Sequence, residues 1–313
     1  NLDALAARSL CGMIEMVGPG ITPGSGPGHL ALFGYDPYLF QIGRGVLEAC
    51  GIDLRVGPGD VAARGNFCTL DGEGRVADRR AGRISTETCQ RLCLKLDQIR
   101  LEGVELIVRP VKEHRLVVLF RGEGLSDALS DSDPLAPGHP ALQVRPIRPD
   151  AARTAALVNR FLEQARGVLK DDHPANMILL RGFAAPPSLP PFPELFQLRA
   201  AAITCYPMYR GLAKLVGMDA LPFCEDLDDQ LKALSANYDR YDFFFVHFKG
   251  TDRAGEDGDF DAKVAALEEL DRRIPRFLEL QPDVFIVTGD HSTPAVLKGH
   301  SWNPVPFMLS SRW

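Results

Sequence analysis

Two adjacent residues, Asp290 and His291, follow a short apolar run at 284–287. Such a run predicts a buried strand, and in open parallel sheets reactive groups gather where strands end. A second imidazole, His300, comes nine residues later in a Gly-, Ser- and Pro-rich loop, and another apolar run at 305–309 follows it. Each residue alone would be an ordinary loop or capping residue. Together they predict a metal-ligand set, because carboxylates and imidazoles bind divalent ions.

Two more carboxylates and one hydroxyl extend this set. Asp252 and Glu256 follow an apolar run at 242–248 and lie in a segment, 249–263, whose composition predicts a loop; a solvated acidic loop would explain them equally well. Ser25 stands between two glycines, which allow a ligand to approach its hydroxyl, although turns are the commonest use of Ser. If the two strands are neighbours, all these groups meet at one edge of a sheet. Five side chains and a hydroxyl suit two ions, and such a site favours Mn²⁺ or Zn²⁺ and phosphoryl transfer.

Strands and helices alternate around these residues. Towards the carboxyl end the predicted order is β-α-β-α-β, and the run at 242–248 is apolar on both faces, which indicates a parallel sheet covered on both sides. A Pro-rich stretch at 184–194 resembles a stiff linker, and an arginine-rich segment precedes it. We therefore predict an α/β fold with a doubly wound, mostly parallel sheet from residues 1–51 and 191–313, and an inserted smaller α/β domain at 52–190.

The composition excludes several classes of protein. The 313 residues are 45% hydrophobic and 24% charged, as in soluble globular proteins. A net charge of −6 gives no electrostatic basis for binding nucleic acid, and no run approaches the ~20 apolar residues that span a membrane. Seven scattered cysteines without a C-x-x-C pair indicate a reducing, cytoplasmic location. The sequence leaves the oligomeric state open, and a homo-oligomer is possible.

Several motifs, in order along essentially the whole chain, resemble a known family. PGSGPGHLALFGYDP, DRRAGR, FKGTDRAGEDGDFDAK and GDHSTPAVLKGHSWNPVPF are similar to the archaeal-type 2,3-bisphosphoglycerate-independent phosphoglycerate mutases, within the alkaline phosphatase superfamily. The resemblance implies an alkaline-phosphatase-like fold and the interconversion of 3-phosphoglycerate and 2-phosphoglycerate in glycolysis and gluconeogenesis. It also implies two divalent metal ions, with Mn²⁺ favoured over Mg²⁺, Co²⁺ or Zn²⁺, and no 2,3-bisphosphoglycerate.

The same resemblance implies roles for individual residues. Ser25 would be the phosphorylated nucleophile and would hold one ion with Asp290 and His291. Asp252, Glu256 and His300 would hold the other ion; the bacterial cofactor-independent mutases have His at the position of Glu256. The phosphate and carboxylate of the substrate suit guanidinium groups. The implied substrate-binding residues are Arg64, Asp78, Arg79, Arg83, Arg121, Arg181 and Arg210.

Two other functions fit parts of this pattern. A metal-dependent phosphomonoesterase, or another phosphomutase of the superfamily, would share the chemistry and differ in its pocket. A metal- or phosphoglycerate-binding protein would keep the residues without turnover. We also expect a strand ending in Asp-Gly before Asn1, and more residues after Trp313, because the predicted helix at 3–10 lacks a preceding strand. The resemblance implies that this upstream Asp binds the same ion as Asp290 and His291.

Overall fold

The computed structural model describes residues 1–312. Its α-helices are α1 (Leu2–Ala6), α2 (Ser25–Leu32), α3 (Arg44–Gly51), α4 (Thr86–Leu96), α5 (Ala152–Leu169), α6 (Phe192–Phe196), α7 (Pro207–Leu215), α8 (Leu227–Asn237), α9 (Gly250–Asp257) and α10 (Phe260–Leu278). Its strands are β1 (Leu10–Ile14), β2 (Val61–Leu70), β3 (Val76–Asp78), β4 (Glu105–Lys112), β5 (Arg115–Arg121), β6 (Met177–Ala184), β7 (Ala200–Thr204), β8 (Asp219–Ala220), β9 (Phe243–His247), β10 (Val284–Thr288) and β11 (Val305–Ser311). No α-helix within these residues is long and apolar enough to cross a membrane.

The chain divides into two units. The first unit is Asn1–Gln41 with Leu189–Trp313, and the second unit is Ile42–Ser188. The sequence placed the divisions after residues 51 and 190, whereas the contacts place them after 41 and 188. The earlier first division follows from α3, which packs against β2 so closely that a Cβ on Gly45 would lie 2.2 Å from the Ala62 carbonyl oxygen.

Two three-stranded sheets form the first unit. The sheet β8-β7-β9 is parallel, with Ala200–Thr204 beside Phe243–His247, and the sheet β1-β11-β10 is antiparallel. The predicted mixed α/β fold is confirmed, but the described strands do not form one mostly parallel sheet, because β9 and β10 belong to different sheets. Strand β9 is half-buried along its length, where the sequence predicted burial on both faces. The doubly wound arrangement therefore stays a prediction.

Side chains of α8 and α10 cover the parallel sheet of the first unit. Leu227, Leu231 and Leu234 pack with Ile203 and with Phe277 from α10. Asp226 accepts the Asp229 N–H at 2.9 Å to cap α8, and this bond satisfies one of the free donors at the helix start. These helices hold the carboxyl ends of β7 and β9 in place.

The second unit is built on an antiparallel sheet of order β3-β2-β5-β4, with β6 also paired to β2. Helices α4 and α5 pack on it through a core that includes Phe67, Leu92, Phe120 and Phe161. Ser85 caps α4 by accepting the Thr88 N–H at 3.1 Å. Because β2 and β6 are adjacent, residues far apart in sequence come side by side.

Candidate active site

Ser25 is the first residue of α2. A helix start carries partial positive charge and unpaired N–H groups, which favour an anion. The hydroxyl lies 3.4 Å from His291 Nε2. The close approach depends on Gly28, since a Cβ on Gly28 would lie 2.3 Å from the Asp290 carbonyl oxygen. Gly28 thus lets α2 bring Ser25 to the segment that holds Asp290 and His291.

Asp252 and Glu256 lie on a helix and not in the predicted loop. They are four residues apart in α9, so their side chains share a face. The expectation of a loop is wrong because tertiary packing outweighs the weak helix propensity of this acidic, Gly-containing segment. A Cβ on Gly255 would lie 2.2 Å from the Thr293 carbonyl oxygen, and the Thr293 hydroxyl donates to Asp252 Oδ1 at 2.6 Å.

Asp252, His291 and His300 form the first group of potential metal ligands, with one ligand atom from each within 4.8 Å of the others. The rings of His291 and His300 stack at 3.6 Å. His300 Nε2 is 3.6 Å from both Asp252 Oδ1 and Glu256 Oε1. Glu256 is half-exposed at the border of this group.

Asp290 belongs to a second group, with His29 and His247. Its Oδ2 atom lies 3.1 Å from His29 Nδ1 and 3.1 Å from His291 Nε2. His291 therefore stands between the two groups, since its Nδ1 atom is 3.9 Å from Asp252 Oδ1. The structure thus brings together Ser25 and the five predicted ligands.

Sequence reasoning missed His29 and His247. His29 is fully buried on α2 in an apolar stretch, a context in which a lone His suggests a core residue. The available signal for His247 was its place at the last position of β9, beside Thr204 of β7, where parallel strands carry reactive groups.

Burial and nearby charges favour the ionised forms of Asp252 and Asp290 and the neutral form of His291. Burial opposes the charge of Asp290, but His29 and the other nearby imidazoles outweigh burial and lower its pKa. Burial likewise opposes the charge of Asp252, and Lys249 outweighs it and lowers the pKa. Burial lowers the pKa of His291. Carboxylates and neutral imidazoles are the protonation states that bind divalent ions.

Buried polar atoms that form no hydrogen bond support the same interpretation. Asp290 Oδ2, His247 Nδ1 and His300 Nε2 are buried and have no hydrogen bond among the described residues. Buried polar atoms are normally satisfied, and a divalent cation would satisfy oxygen and imidazole ligands together. The donor set therefore fits bound metal.

Three of the predicted arginines meet in the second unit. Arg64 of β2 stands opposite Arg181 of β6, and like charges in this position repel each other. Arg79 donates to both oxygens of the buried Asp133 at 2.8 and 2.6 Å, and Arg181 lies 3.7 Å from the same carboxylate. The pKa of Arg181 is lowered mainly by burial and further by the nearby Arg44 guanidinium. An anion bound here would relieve that repulsion.

The remaining predicted substrate residues are placed differently. Asp78 accepts the Arg80 and Gly82 N–H groups at 2.8 and 2.6 Å and so shapes the loop. Arg121 pairs with the buried Asp60 at 2.9 Å. Arg210 lies in the first unit, 4.9 Å above the Phe223 ring.

Arg83 is exposed and lies at the left-handed φ of 54°. Its guanidinium has no ion-pair partner within residues 1–312. A strained, exposed and unpaired arginine is consistent with ligand binding.

Comparisons with known proteins identify the family to which the chain is similar. A family model described as 2,3-bisphosphoglycerate-independent phosphoglycerate mutase matches residues 6–176. A Thermotoga neapolitana protein, described as a probable enzyme of that name, is 51% identical over 315 residues, covering 100% of this chain and 78% of the relative. A Thermus thermophilus protein with the same description is 51% identical over 316 residues, covering 99% of this chain and 78% of the relative.

Two solved structures resemble the whole chain. A Pyrococcus horikoshii protein matches with a TM-score of 0.82 at 29% identity, covering 99% of this chain and 79% of the other. The cofactor-independent phosphoglycerate mutase from Thermoplasma acidophilum matches with a TM-score of 0.70 at 29% identity, covering 99% of this chain and 81% of the other.

Proposed function

This chain belongs to the family of 2,3-bisphosphoglycerate-independent phosphoglycerate mutases, and we propose that it interconverts 3-phosphoglycerate and 2-phosphoglycerate through a phosphoserine on Ser25. One observation supports this most strongly: Ser25 begins a helix with its hydroxyl 3.4 Å from His291, next to two groups of carboxylates and imidazoles. We also propose that the strands of the first unit belong to an alkaline-phosphatase-like, doubly wound sheet.

The proposed reaction has two balanced transfers. The Ser25 oxygen forms a bond to phosphorus as its proton leaves, and the bond from phosphorus to the C3 oxygen of the substrate breaks. That oxygen takes up a proton and the bound glycerate reorients. Its C2 hydroxyl then loses its proton and forms a bond to phosphorus, the bond from phosphorus to the Ser25 oxygen breaks, and Ser25 regains a proton, so the protons balance over the two transfers. Throughout, the start of α2 stabilises negative charge on the Ser25 oxygen.

We propose that Asp252, Glu256 and His300 hold one divalent ion, and that Asp290, His291 and the Ser25 oxygen hold the other. Mn²⁺ suits this mixture of oxygen and imidazole ligands. When bound, such ions stabilise negative charge on the Ser25 oxygen and on the phosphoryl oxygens. The chain's own task is to keep carboxylates ionised and His291 neutral, as the lowered pKa values of Asp252, Asp290 and His291 indicate.

The second unit is proposed to bind the two anionic groups of the substrate. Arg64, Arg79 and Arg181 bring three positive charges to two buried carboxylates, Asp133 and Glu48. Guanidinium groups bind phosphate and carboxylate in the same bidentate geometry. We propose that Asp78 supports this site by accepting the Gly82 N–H and so shaping the loop that carries Arg79. Arg121 would support it by donating to Asp60, just before the strand that carries Arg64.

Arg83 offers a clean test of this role. Replacing Arg83 with alanine is expected to lower kcat/KM roughly 10- to 150-fold, a loss of about 1.5–3 kcal/mol in transition-state stabilisation, which is the scale of a hydrogen bond to a charged group. The melting temperature should not change, because the side chain is exposed. Arg75→Ala is the matched control, since Arg75 is 54% exposed and pairs with Glu73. Equal kinetics in both variants would remove Arg83 from the substrate site.

A coupled enolase assay tests the proposed function as a whole. Metal-loaded protein should form 2-phosphoglycerate from 3-phosphoglycerate with no 2,3-bisphosphoglycerate present. Release of inorganic phosphate without 2-phosphoglycerate would instead favour a metal-dependent phosphomonoesterase of the same superfamily. An absolute requirement for added 2,3-bisphosphoglycerate would contradict the proposal.

A further inference from the structure

The hydroxyl of Tyr209, on α7, contacts the Ser25 oxygen. It donates to Ser25 Oγ at 3.5 Å. A contact of this length tightens when charge develops on the acceptor, since hydrogen bonds at catalytic sites are commonly long before substrate binds. Tyr209 is no part of either ligand group and has no place in the mechanism above.

Packing fixes the position of the Tyr209 ring. Only 1% of the residue is exposed. The ring stacks on His247 at 3.6 Å between centroids and 25° between planes, and it lies 4.9 Å from the His29 ring. A phenol held on two sides keeps its hydroxyl direction at little further entropic cost.

Lys249 is the cation beside this phenol. Its Nζ atom lies 5.6 Å from the centroid of the Tyr209 ring and pairs with the Asp252 carboxylate. Burial raises the pKa of Tyr209 to about 12, and the charge of Lys249 opposes that rise. A tyrosine phenol is ordinarily protonated at neutral pH, and the nearby ammonium makes the Tyr209 hydroxyl a stronger hydrogen-bond donor.

We propose that the Tyr209 hydroxyl donates a hydrogen bond to the Ser25 oxygen during both phosphoryl transfers and that Lys249 positions and polarises this donor. The proposal rests on Ser25 being the nucleophile. Negative charge appears on the Ser25 oxygen before its bond to phosphorus forms and again as that bond breaks. Tyr209 stabilises the charge without giving up its proton, so the two transfers keep the balance given above.

The direct experiment compares Tyr209→Phe with the wild-type chain. The substitution removes the hydroxyl and keeps the ring that stacks on His247. We expect kcat to fall about 100-fold, the effect of losing one preorganised donor, with KM, metal content and melting temperature nearly unchanged. In rapid-quench experiments, the formation and the breakdown of phosphoserine should both slow. Tyr241→Phe is the matched control, since that hydroxyl bonds Asp219 at 3.1 Å and not Ser25.

The result that would overturn the proposal is a Tyr209→Phe kcat within about threefold of the wild type. An equal loss through KM alone would also overturn it, because a purely structural change in the pocket weakens binding. Ser25→Ala separates this failure from failure of the proposed function. If Ser25→Ala is inactive while Tyr209→Phe is fully active, the phosphoserine mechanism stands and the role of Tyr209 is wrong.

A double-mutant cycle tests Lys249. Because Lys249 acts partly through the Tyr209 hydroxyl, Lys249→Met should lower kcat by a smaller factor in the Tyr209→Phe background than in the wild type. If Lys249→Met lowers kcat by the same factor in both backgrounds, Lys249 does not act through the Tyr209 hydroxyl and that part of the proposal is wrong. Metal content is measured in each variant, since Lys249 also pairs with Asp252.

Discussion

Replacing Ser25 with alanine is expected to lower mutase kcat on the order of 10⁴-fold or more, the scale seen when a covalent nucleophile is removed. The Thr293 hydroxyl cannot substitute for Ser25, because it is buried and already donates to Asp252 at 2.6 Å. Tyr209 is held with its ring between two imidazoles and keeps its proton. The measurement is the coupled enolase assay at saturating 3-phosphoglycerate.

Ser9→Ala is the matched control for the nucleophile. Ser9 donates its hydroxyl to the Leu5 carbonyl oxygen at 2.7 Å on α1, so its loss should leave kcat unchanged. Metal content and melting temperature of Ser25→Ala are measured in parallel. A folded, metal-loaded Ser25→Ala protein with near wild-type activity would show that the covalent mechanism is wrong.

Removing metal is the second change with a large expected effect. Chelation should reduce mutase activity to background, and Mn²⁺ should restore it, because buried atoms of Asp290 and His300 form no hydrogen bond among the described residues and a cation would satisfy them. Metal that binds only the folded state also stabilises it, so Mn²⁺ should raise the melting temperature of the chelated protein. Metal analysis, thermal unfolding and the coupled assay report these effects together.

His300→Ala tests the assignment of ligands. It should lower bound metal and activity together, since His300 belongs to the group with Asp252 and His291. His139→Ala is the matched control, because His139 is exposed in the second unit and should leave both unchanged. Full activity in chelated, metal-free protein would contradict a metal-dependent mechanism.

Sequence patterns predicted much of the fold for a physical reason. Helix α5 runs over Ala152–Leu169, and its apolar residues recur at the helical period, so the local sequence pattern is enough to predict it. Helix α9 was missed because Gly250–Asp257 is short, polar and contains glycines, and its packing includes the close contact of Gly255 with Thr293. A contact between segments distant in sequence is invisible to a local pattern.

The candidate site shows the same limit. Asp290, His291 and Asp252 stand beside strand ends or in recognisable motifs, and their convergence could be expected. The grouping of His29 and His247 with Asp290 could not be predicted from the sequence, because it depends on how α2 packs on the segment after β10. The antiparallel pairing of Arg64 with Arg181 likewise joins strands more than a hundred residues apart.

Trapping the phosphoenzyme tests the central claim most directly. Excess metal-loaded protein is mixed with 3-phosphoglycerate carrying a labelled phosphate, and the reaction is quenched in acid within the first turnover. The proposed mechanism predicts acid-stable label on the peptide that contains Ser25, appearing before labelled 2-phosphoglycerate. Formation of 2-phosphoglycerate with no label on Ser25 at any time in the turnover would contradict it.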